Sequence, residues 1–282
     1  MTSHNMRLSL AVQTPESPSP VPVALLSGSF PQKVEKARQI GAQGIELMPF
    51  DPQALDVAEI RRLVESAQLQ VSAIGSGAVP FLGGLTLLNS DPEKARLARQ
   101  RLKELVQFAH LVGAPLVTIG SFRGRLAGAG IQGEAQLAAI LGEAADHAQE
   151  LQVRLALEPL NHYETDIVQN AGQGLDFIQR VGHPCLGLLL DTYHVNIEEC
   201  SWTVPFKQAQ QAGCLFHIHL SDNNRLAPGF GLIDFSCIVQ ALYENGYQGF
   251  LSAELFPQPD ADTAARQTIR HMQALLENLP CN

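Results

Sequence analysis

The chain has 282 residues, of which 45% are hydrophobic and 17% are charged, so it can bury a large core and has the size of one barrel-type domain. Its formal net charge is -9 and it contains no basic run, which argues against binding to nucleic acid or to an anionic membrane surface. Its apolar stretches are too short for membrane spans, and the start of the chain lacks an export-signal pattern. We therefore expect a cytoplasmic protein with a small-molecule substrate.

Eight short apolar segments alternate with amphipathic stretches along the chain. The predicted strands are residues 7–12, 44–49, 70–75, 115–120, 153–158, 186–191, 214–220 and 249–255. In the stretch after the third strand, Asp91 and Pro92 form a helix start and Gly113 a helix end. Alternation of this kind predicts a parallel sheet, and eight repeats predict one α/β domain over residues 1–282, a closed (β/α)8 TIM barrel.

An open doubly wound sheet is the alternative fold. It would need a glycine-rich phosphate-binding turn after the first strand, where the sequence is TPESPSPVP. The cysteines also limit the possibilities, because they are odd in number and never in CxxC spacing. Reduced structural thiols are therefore expected at all five positions, Cys185, Cys200, Cys214, Cys237 and Cys281.

Four residues of metal-binding types lie at or near the ends of the last four predicted strands. They are Glu158 in RLALEPLNHYET, Asp191 in LGLLLDTYHVN, His219 in LFHIHLSDNNR and Glu254 in FLSAELF. A charged group in an apolar strand loses several kcal/mol on desolvation unless it is paired or binds a cation. Because a barrel brings the carboxyl ends of its strands to one face, the four residues predict one shared divalent-metal site.

The two histidines of the seventh strand, His217 and His219, are two residues apart and therefore face the same way, into the barrel. His219 is nearer the mouth, so we assign it as the ligand and His217 as an interior, hydrogen-bonded histidine. Glu46 in the second strand also faces inward. For this residue we consider a structural hydrogen-bonded role and a direct substrate contact.

The segments LEPLNHYET, LLLDTYH, HIHLSDNNR, PGFGLIDF and SAELF occur in an order and spacing that resemble the ketose 3-epimerase branch of the xylose-isomerase-like sugar isomerase and epimerase barrels. The resemblance implies a single divalent metal bound by Glu158, Asp191, His219 and Glu254, with Glu158 and Glu254 as catalytic residues. It also implies substrate contacts by Glu164, His194 and Arg225, and a homo-oligomer, either a dimer or a tetramer. Mn²⁺ is the expected metal, with Mg²⁺, Co²⁺ and Zn²⁺ as alternatives.

These residue types also suit a particular reaction, the removal of a proton from carbon beside a ketone. Two glutamates from well-separated strands can lie on opposite faces of a flat enediolate, so one can remove a proton and the other return it with inversion. Epimerisation follows, and the resemblance implies that it takes place at C3 of a ketose. A single base that moves the proton to the neighbouring carbon would instead give aldose–ketose isomerisation, including isomerisation of a keto-inositol or hydroxypyruvate type.

Two other classes of protein were weighed. Abasic-site endonucleases resemble the chain at Asp191-Thr192-Tyr193-His194, but they need further histidine ligands in three loops that read GSGAVPFLGG, IGSFRGR and SDNNRLAPG here. A non-catalytic sugar-binding barrel has no need of two metal-bound glutamates. Both readings are therefore disfavoured.

The loop GSFRGRLAGAGIQG, after the fourth strand, is predicted to be either a mobile lid or a simple exposed loop. Its Arg123 and Arg125 are expected to reach the barrel mouth, where a guanidinium can bind a phosphate or carboxylate. No glycine-rich turn follows the eighth strand, although barrel phosphate sites commonly use one. A free ketose is therefore expected in preference to a sugar phosphate.

Overall fold

The computed structural model describes residues 6–126 and 132–280. Its eight strands are all parallel and close into a barrel in chain order, with the first strand hydrogen-bonded to both the second and the eighth. The strands are β1 (Arg7–Gln13), β2 (Gly44–Met48), β3 (Gln70–Gly75), β4 (Leu116–Ile119), β5 (Arg154–Leu157), β6 (Leu186–Asp191), β7 (Leu215–Leu220) and β8 (Phe250–Ala253). The predicted (β/α)8 barrel is confirmed.

Helices cover the outside of the barrel, and short 3-10 turns lie at Pro52–Ala54 and Ser121–Arg123. The helices are α1 (Phe30–Gln39), α2 (Val57–Ser66), α3 (Ala78–Gly83), α4 (Pro92–Val112), α5 (Gly133–Glu150), α6 (Ala171–Val181), α7 (Thr192–Glu198), α8 (Val204–Gln211), α9 (Phe235–Glu244) and α10 (Ala261–Glu277). Among the described residues, no helix has both the length and the apolar character needed to cross a membrane.

Helix α4 shows how local sequence sets the boundaries of an element. The carboxylate of Asp91 accepts hydrogen bonds from the backbone N–H groups of Glu93 and Lys94, and Pro92 is the first helical residue. Gly113 ends the helix with a left-handed φ of 74°, a conformation that residues with a side chain disfavour. The predicted start and end of this helix are confirmed.

The main apolar core lies between the barrel wall and the helices, where residues such as Leu10, Ile45, Leu188 and Phe206 are fully buried. Four of the cysteines are free, namely Cys185, Cys200, Cys214 and Cys237. Cys281 lies outside the described residues, as do residues 127–131 of the predicted lid. The alternatives of a mobile lid and a simple exposed loop therefore both stay open for this segment.

The ends of the last four strands differ slightly from the predicted bounds. Asp191 is the last residue of β6 and is paired in register with His219 of β7, whereas β5 and β8 end one residue before Glu158 and Glu254. The backbone N–H of Glu158 still donates to Ile119 at 3.0 Å, and that of Glu254 to Leu220 at 3.3 Å. All four side chains are thus carried at the same end of the barrel by adjacent strands.

Candidate active site

Glu158, Asp191, His219 and Glu254 meet at the carboxyl ends of strands β5 to β8. Each offers one ligand atom, and these four atoms lie within 4.8 Å of one another. His219 Nδ1 is 3.3 Å from Glu254 Oε2 and 3.8 Å from Glu158 Oε1. The first three residues are buried, and Glu254 is partly buried. The structure therefore brings the four predicted ligands together.

Three buried polar atoms of this group have no hydrogen-bond partner among the described residues: Glu158 Oε1, Asp191 Oδ2 and His219 Nδ1. The other oxygen of Asp191 accepts from Tyr193 N at 2.8 Å and from the Ser221 hydroxyl at 3.3 Å. Buried polar atoms without partners are rare in native proteins, because each one costs the full desolvation penalty. A divalent cation would be a partner for all three atoms, so the donor set fits a candidate metal site.

The electrostatics of the group point the same way. Burial raises the pKa of Asp191 to about 6. Burial also raises the pKa of Glu158 well above its usual range, with the neighbouring carboxylates of Glu254 and Asp191 adding to the effect and His219 opposing it. Burial alone would lower the pKa of His219, but the carboxylates of Glu46 and Glu254 raise it well above its usual range. Protons and a cation would therefore compete for this site.

Glu46 of β2 orients both histidines of β7 from across the barrel. Its Oε2 atom is 3.0 Å from His217 Nε2 and 3.1 Å from His219 Nε2. If His219 donates from Nε2, its Nδ1 lone pair is left to face Glu158 and Glu254, as in the carboxylate–histidine–metal arrangements of metalloproteins. Burial would raise the pKa of Glu46, but the two histidines overcome this and lower it. The hydrogen-bonded interior roles considered for Glu46 and His217 are confirmed.

Glu164, His194 and Arg225 lie beside the four carboxylate and imidazole groups. Arg225 Nη1 donates to Glu164 Oε1 at 2.9 Å, and Arg225 Nη2 is 4.0 Å from Glu254 Oε2. His194 Nε2 is 3.8 Å from Glu158 Oε1. Burial lowers the pKa of His194 well below its usual range, and the positive charge of Arg225 adds to the effect, which favours the neutral form of this imidazole. All three predicted substrate residues therefore surround the candidate metal site.

A cavity of about 230 Å³ opens directly beside the site, a size that suits a small molecule. One side of the cavity is charged and is formed by Glu158, Glu164, Arg225 and Glu254. The remaining lining is mainly apolar or small. Most of it comes from β2, β4 and the segments that follow β1 to β4, namely Val21, Pro22, Val23, Met48, Ser76, Gly77, Phe81, Thr118, Gly120 and Ser121, while Leu160 and Phe256 come from the segments after β5 and β8.

The structure overturns the expected position of Arg123. Its side chain is fully buried, contacts the carbonyl oxygen of Glu158 and donates to that of Val168 at 3.2 Å. The 3-10 turn Ser121–Arg123 directs the guanidinium inward, where main-chain carbonyl groups bind it instead of a substrate phosphate. Arg125 is exposed and does not line the cavity beside the site. The prediction that Arg123 reaches the mouth is wrong.

Asp222 is a residue that the sequence analysis did not single out. Its carboxylate accepts from four backbone N–H groups, those of Asn223, Gly229, Gly231 and Ile233, at 2.8 to 3.1 Å. These bonds fold the loop after β7, which carries Arg225 with a φ of 60°. The signal was present, because an acidic residue directly after a strand is followed by the glycine-containing segment PGFG.

Asn161 was also missed. It lies in the LEPLNHYET segment, is fully buried, and contacts both His194 and Glu164. It lies four residues after β5, in a segment without strand periodicity, so the sequence shows neither its burial nor the neighbours it contacts.

Comparison with known proteins places the chain in a family. The model of the xylose isomerase-like TIM barrel family matches residues 34–275. The chain belongs to this family. It is 33% identical to the L-ribulose 3-epimerase of Mesorhizobium japonicum over 235 residues, which cover 80% of this chain and 75% of the relative. It is 28% identical to the ketose 3-epimerase of Arthrobacter globiformis over 226 residues, 79% and 76% of the two chains.

A solved structure shares the fold of this xylose isomerase-like barrel. The D-allulose 3-epimerase of Methylomonas sp., determined in complex with D-allulose, superimposes with a TM-score of 0.77 at 22% sequence identity. The superposition covers 95% of this chain and 97% of the other. Together with the named relatives, family membership establishes the chain as an enzyme of the isomerase class.

In the part of the chain that the structure describes, there is no separate second group of potential metal ligands that would support the nuclease interpretation. The groups of three or more potential ligands there are the four-residue set and the trio Glu46, His217 and His219, which share His219. Because Glu46 already binds both imidazole groups of that trio, the additional histidine ligands that the nuclease interpretation needs are not found within residues 6–126 and 132–280.

Proposed function

We propose that this enzyme is a divalent-metal-dependent ketose 3-epimerase in which Glu158 and Glu254 exchange the proton at C3. The observation that carries the proposal is the convergence of these two glutamates, from β5 and β8, on His219 Nδ1 beside a cavity of small-molecule size. Two of the named relatives are 3-epimerases of ketoses, which supports the same reaction.

Glu158, Asp191, His219 and Glu254 would hold one divalent ion. Three carboxylates and one imidazole form a hard donor set without thiolate, so we favour Mn²⁺, with Mg²⁺, Co²⁺ and Zn²⁺ as alternatives. When bound, the ion supplies positive charge that stabilises the oxygen anion formed when the carbon beside a ketone loses its proton.

The protein side chains carry out the proton transfers. Strands β6 and β7 lie between the strands that lead into Glu158 and Glu254, so the two carboxyl groups stand at different positions along the charged side of the cavity, and we assign them to opposite faces of the enediolate. One ionised glutamate removes the C3 proton, and the other, in its protonated form, delivers a proton to the opposite face, which inverts the carbon. Arg225, Glu164 and His194 would hold the sugar oxygens in position for this exchange.

A free ketose is the proposed substrate rather than a sugar phosphate. Among the described residues that line the cavity, Arg225 is the one cationic side chain, and it is already paired with Glu164. Arg123 is bound to main-chain carbonyl groups beneath the site and is not available to a phosphate.

The test is proton exchange in heavy water. The Mn²⁺-loaded enzyme is incubated with a panel of ketoses, including L-ribulose and D-psicose, and deuterium is located by NMR. We expect deuterium at C3 together with the C3 epimer. An aldose product labelled at C2, with deuterium at C1 of the recovered ketose, would replace the epimerase by the aldose–ketose isomerase. The absence of both exchange and conversion in every ketose would reject both.

Two variants assign the roles of the residues. Glu254→Gln keeps an oxygen donor for the metal but removes the base, so we expect metal to be retained while exchange falls by roughly 10²-fold or more. His219→Ala should instead lose the metal. A fully active Glu254→Gln enzyme would exclude Glu254 from proton transfer.

A further inference from the structure

We propose that Asn161 is a positioning residue that sets the tautomer of His194, so that the imidazole presents an Nε2–H donor towards Glu158 and the candidate metal site. The inference builds on the proposed epimerase site, but it concerns the protonation of one ring and can be measured without turnover.

The neighbours of Asn161 determine which way its side-chain amide points. Its Oδ1 atom accepts from the backbone N–H of Tyr163 at 3.0 Å. Its Nδ2 atom lies 3.2 Å from Glu164 Oε1 and 2.8 Å from His194 Nδ1. The reversed amide would place its oxygen against the Glu164 carboxylate and its NH₂ group against the Tyr163 N–H. Both contacts would be repulsive, so the NH₂ group faces His194.

His194 Nδ1 consequently receives two donors. The second is the backbone N–H of Asn161, whose nitrogen is 3.2 Å away. A proton on Nδ1 would point at both of these N–H groups, so Nδ1 carries the lone pair. The single proton of the neutral imidazole then lies on Nε2.

The Nε2 atom is the part of His194 that faces the reaction site. It is buried, has no hydrogen-bond partner among the described residues, and lies 3.8 Å from Glu158 Oε1. As an N–H group it can donate to a carbonyl or hydroxyl oxygen of the substrate, but it cannot accept a proton there. His194 is therefore a hydrogen-bond donor in this site and not a third base beside Glu158 and Glu254.

One amide group thus links two of the proposed substrate residues. The same NH₂ group that binds His194 also binds Glu164, and Glu164 in turn accepts from Arg225 at 2.9 Å. Loss of the amide would remove the hydrogen bond that fixes the tautomer of His194 and would also remove a hydrogen bond to Glu164, the partner of Arg225.

The experiment reads the tautomer directly. Protein labelled with ¹⁵N-histidine is studied by long-range ¹H–¹⁵N NMR, both metal-free and with added Mg²⁺, and His194 is assigned from its missing signal in His194→Gln. We expect protonated Nε2 and unprotonated Nδ1 in the unmodified protein. In Asn161→Asp the new carboxylate should attract a proton to Nδ1, which gives the Nδ1–H tautomer or the doubly protonated ring.

The matched control is Asn170→Asp, which keeps an acceptor at the N-terminus of α6 and lies outside the proposed site. This control should leave both the His194 spectrum and the exchange rate unchanged. In Asn161→Asp, kcat for C3 exchange should fall at least about tenfold, because a hydrogen-bond donor to the transition state is misplaced. An Nδ1–H signal in the unmodified protein overturns the proposal, even if Asn161→Asp does not fold. An unchanged tautomer in folded Asn161→Asp also overturns it. Neither outcome depends on which substrate the enzyme uses.

Discussion

Asp191, Glu158 and His219 each have a raised pKa in the metal-free protein, and this has a consequence for metal affinity. At low pH all three groups carry protons, which a bound cation must displace. As the pH rises through about 6, Asp191 loses its proton and the competition weakens. Affinity should therefore increase with pH, by about tenfold per pH unit for each proton displaced.

Calorimetric titration of the metal-free protein with Mn²⁺ at several pH values measures this dependence. Repeating it in buffers with different ionisation enthalpies counts the protons released. Proton release above one per metal at pH 5.5 is expected. An affinity that does not change with pH would show that the buried carboxylates and His219 are not the ligands.

Arg123 makes a different prediction, because its contacts are to the protein itself. In Arg123→Met the carbonyl groups of Glu158 and Val168 lose their donor while remaining buried, which should lower the free energy of unfolding by about 2–4 kcal/mol. Urea unfolding of the metal-free protein provides the measurement. The control is Arg125→Met, two residues away and exposed, which should change stability by less than about 0.5 kcal/mol. Equal effects of the two substitutions would contradict the structural role of Arg123.

At the scale of elements, the loop after β7 presents Arg225 because four backbone N–H groups converge on one carboxylate. Gly231 is part of this convergence, since a Cβ atom there would lie 2.3 Å from Asp222 Oδ1 and 2.1 Å from Asn223 Oδ1. A side chain at this position must displace the loop. Gly231→Ala is therefore expected to raise KM for the ketose about tenfold through misplacement of Arg225, while metal affinity stays unchanged.

Gly142→Ala is the comparison variant for this loop. Gly142 lies within α5, and the nearest atom to its added Cβ would be 3.9 Å away, so the substitution should leave KM unaffected. If Gly231→Ala binds substrate as well as the Gly142→Ala protein does, the fold of the β7 loop does not position Arg225.

The elements were more predictable than the contacts between them. A strand buried on both faces is a continuous apolar run, so Glu158, Asp191, His219 and Glu254 were recognisable as polar exceptions at strand ends. A loop has no such periodicity. Arg123 points inward, and Asp222 accepts hydrogen bonds from four backbone N–H groups. Both arrangements depend on φ and ψ angles in the loops, which the amino-acid composition does not specify.

For the whole molecule, eight alternations of strand and helix were enough to predict a closed parallel barrel, and closure placed the four strand ends at one face. Long-range polar pairing was not predictable in the same way. Glu46 meets His217 and His219 across the barrel, 171 and 173 residues away in the chain, and only the closed structure brings them together. Asn161 lies 33 residues from His194 and shows the same limit.

The two halves of the barrel, β1 to β4 and β5 to β8, contribute different groups to the candidate site. Strands β5 to β8, or the residue directly after them, carry the four candidate ligands, whereas most of the apolar and small lining of the cavity comes from β2, β4 and the segments after β1 to β4. Mutations in the β1 to β4 half, for example at Val21, Met48 or Phe81, can change the shape of the cavity without replacing any of the four candidate ligands. Such a layout would allow related enzymes to accept different substrates while the four candidate ligands stay the same.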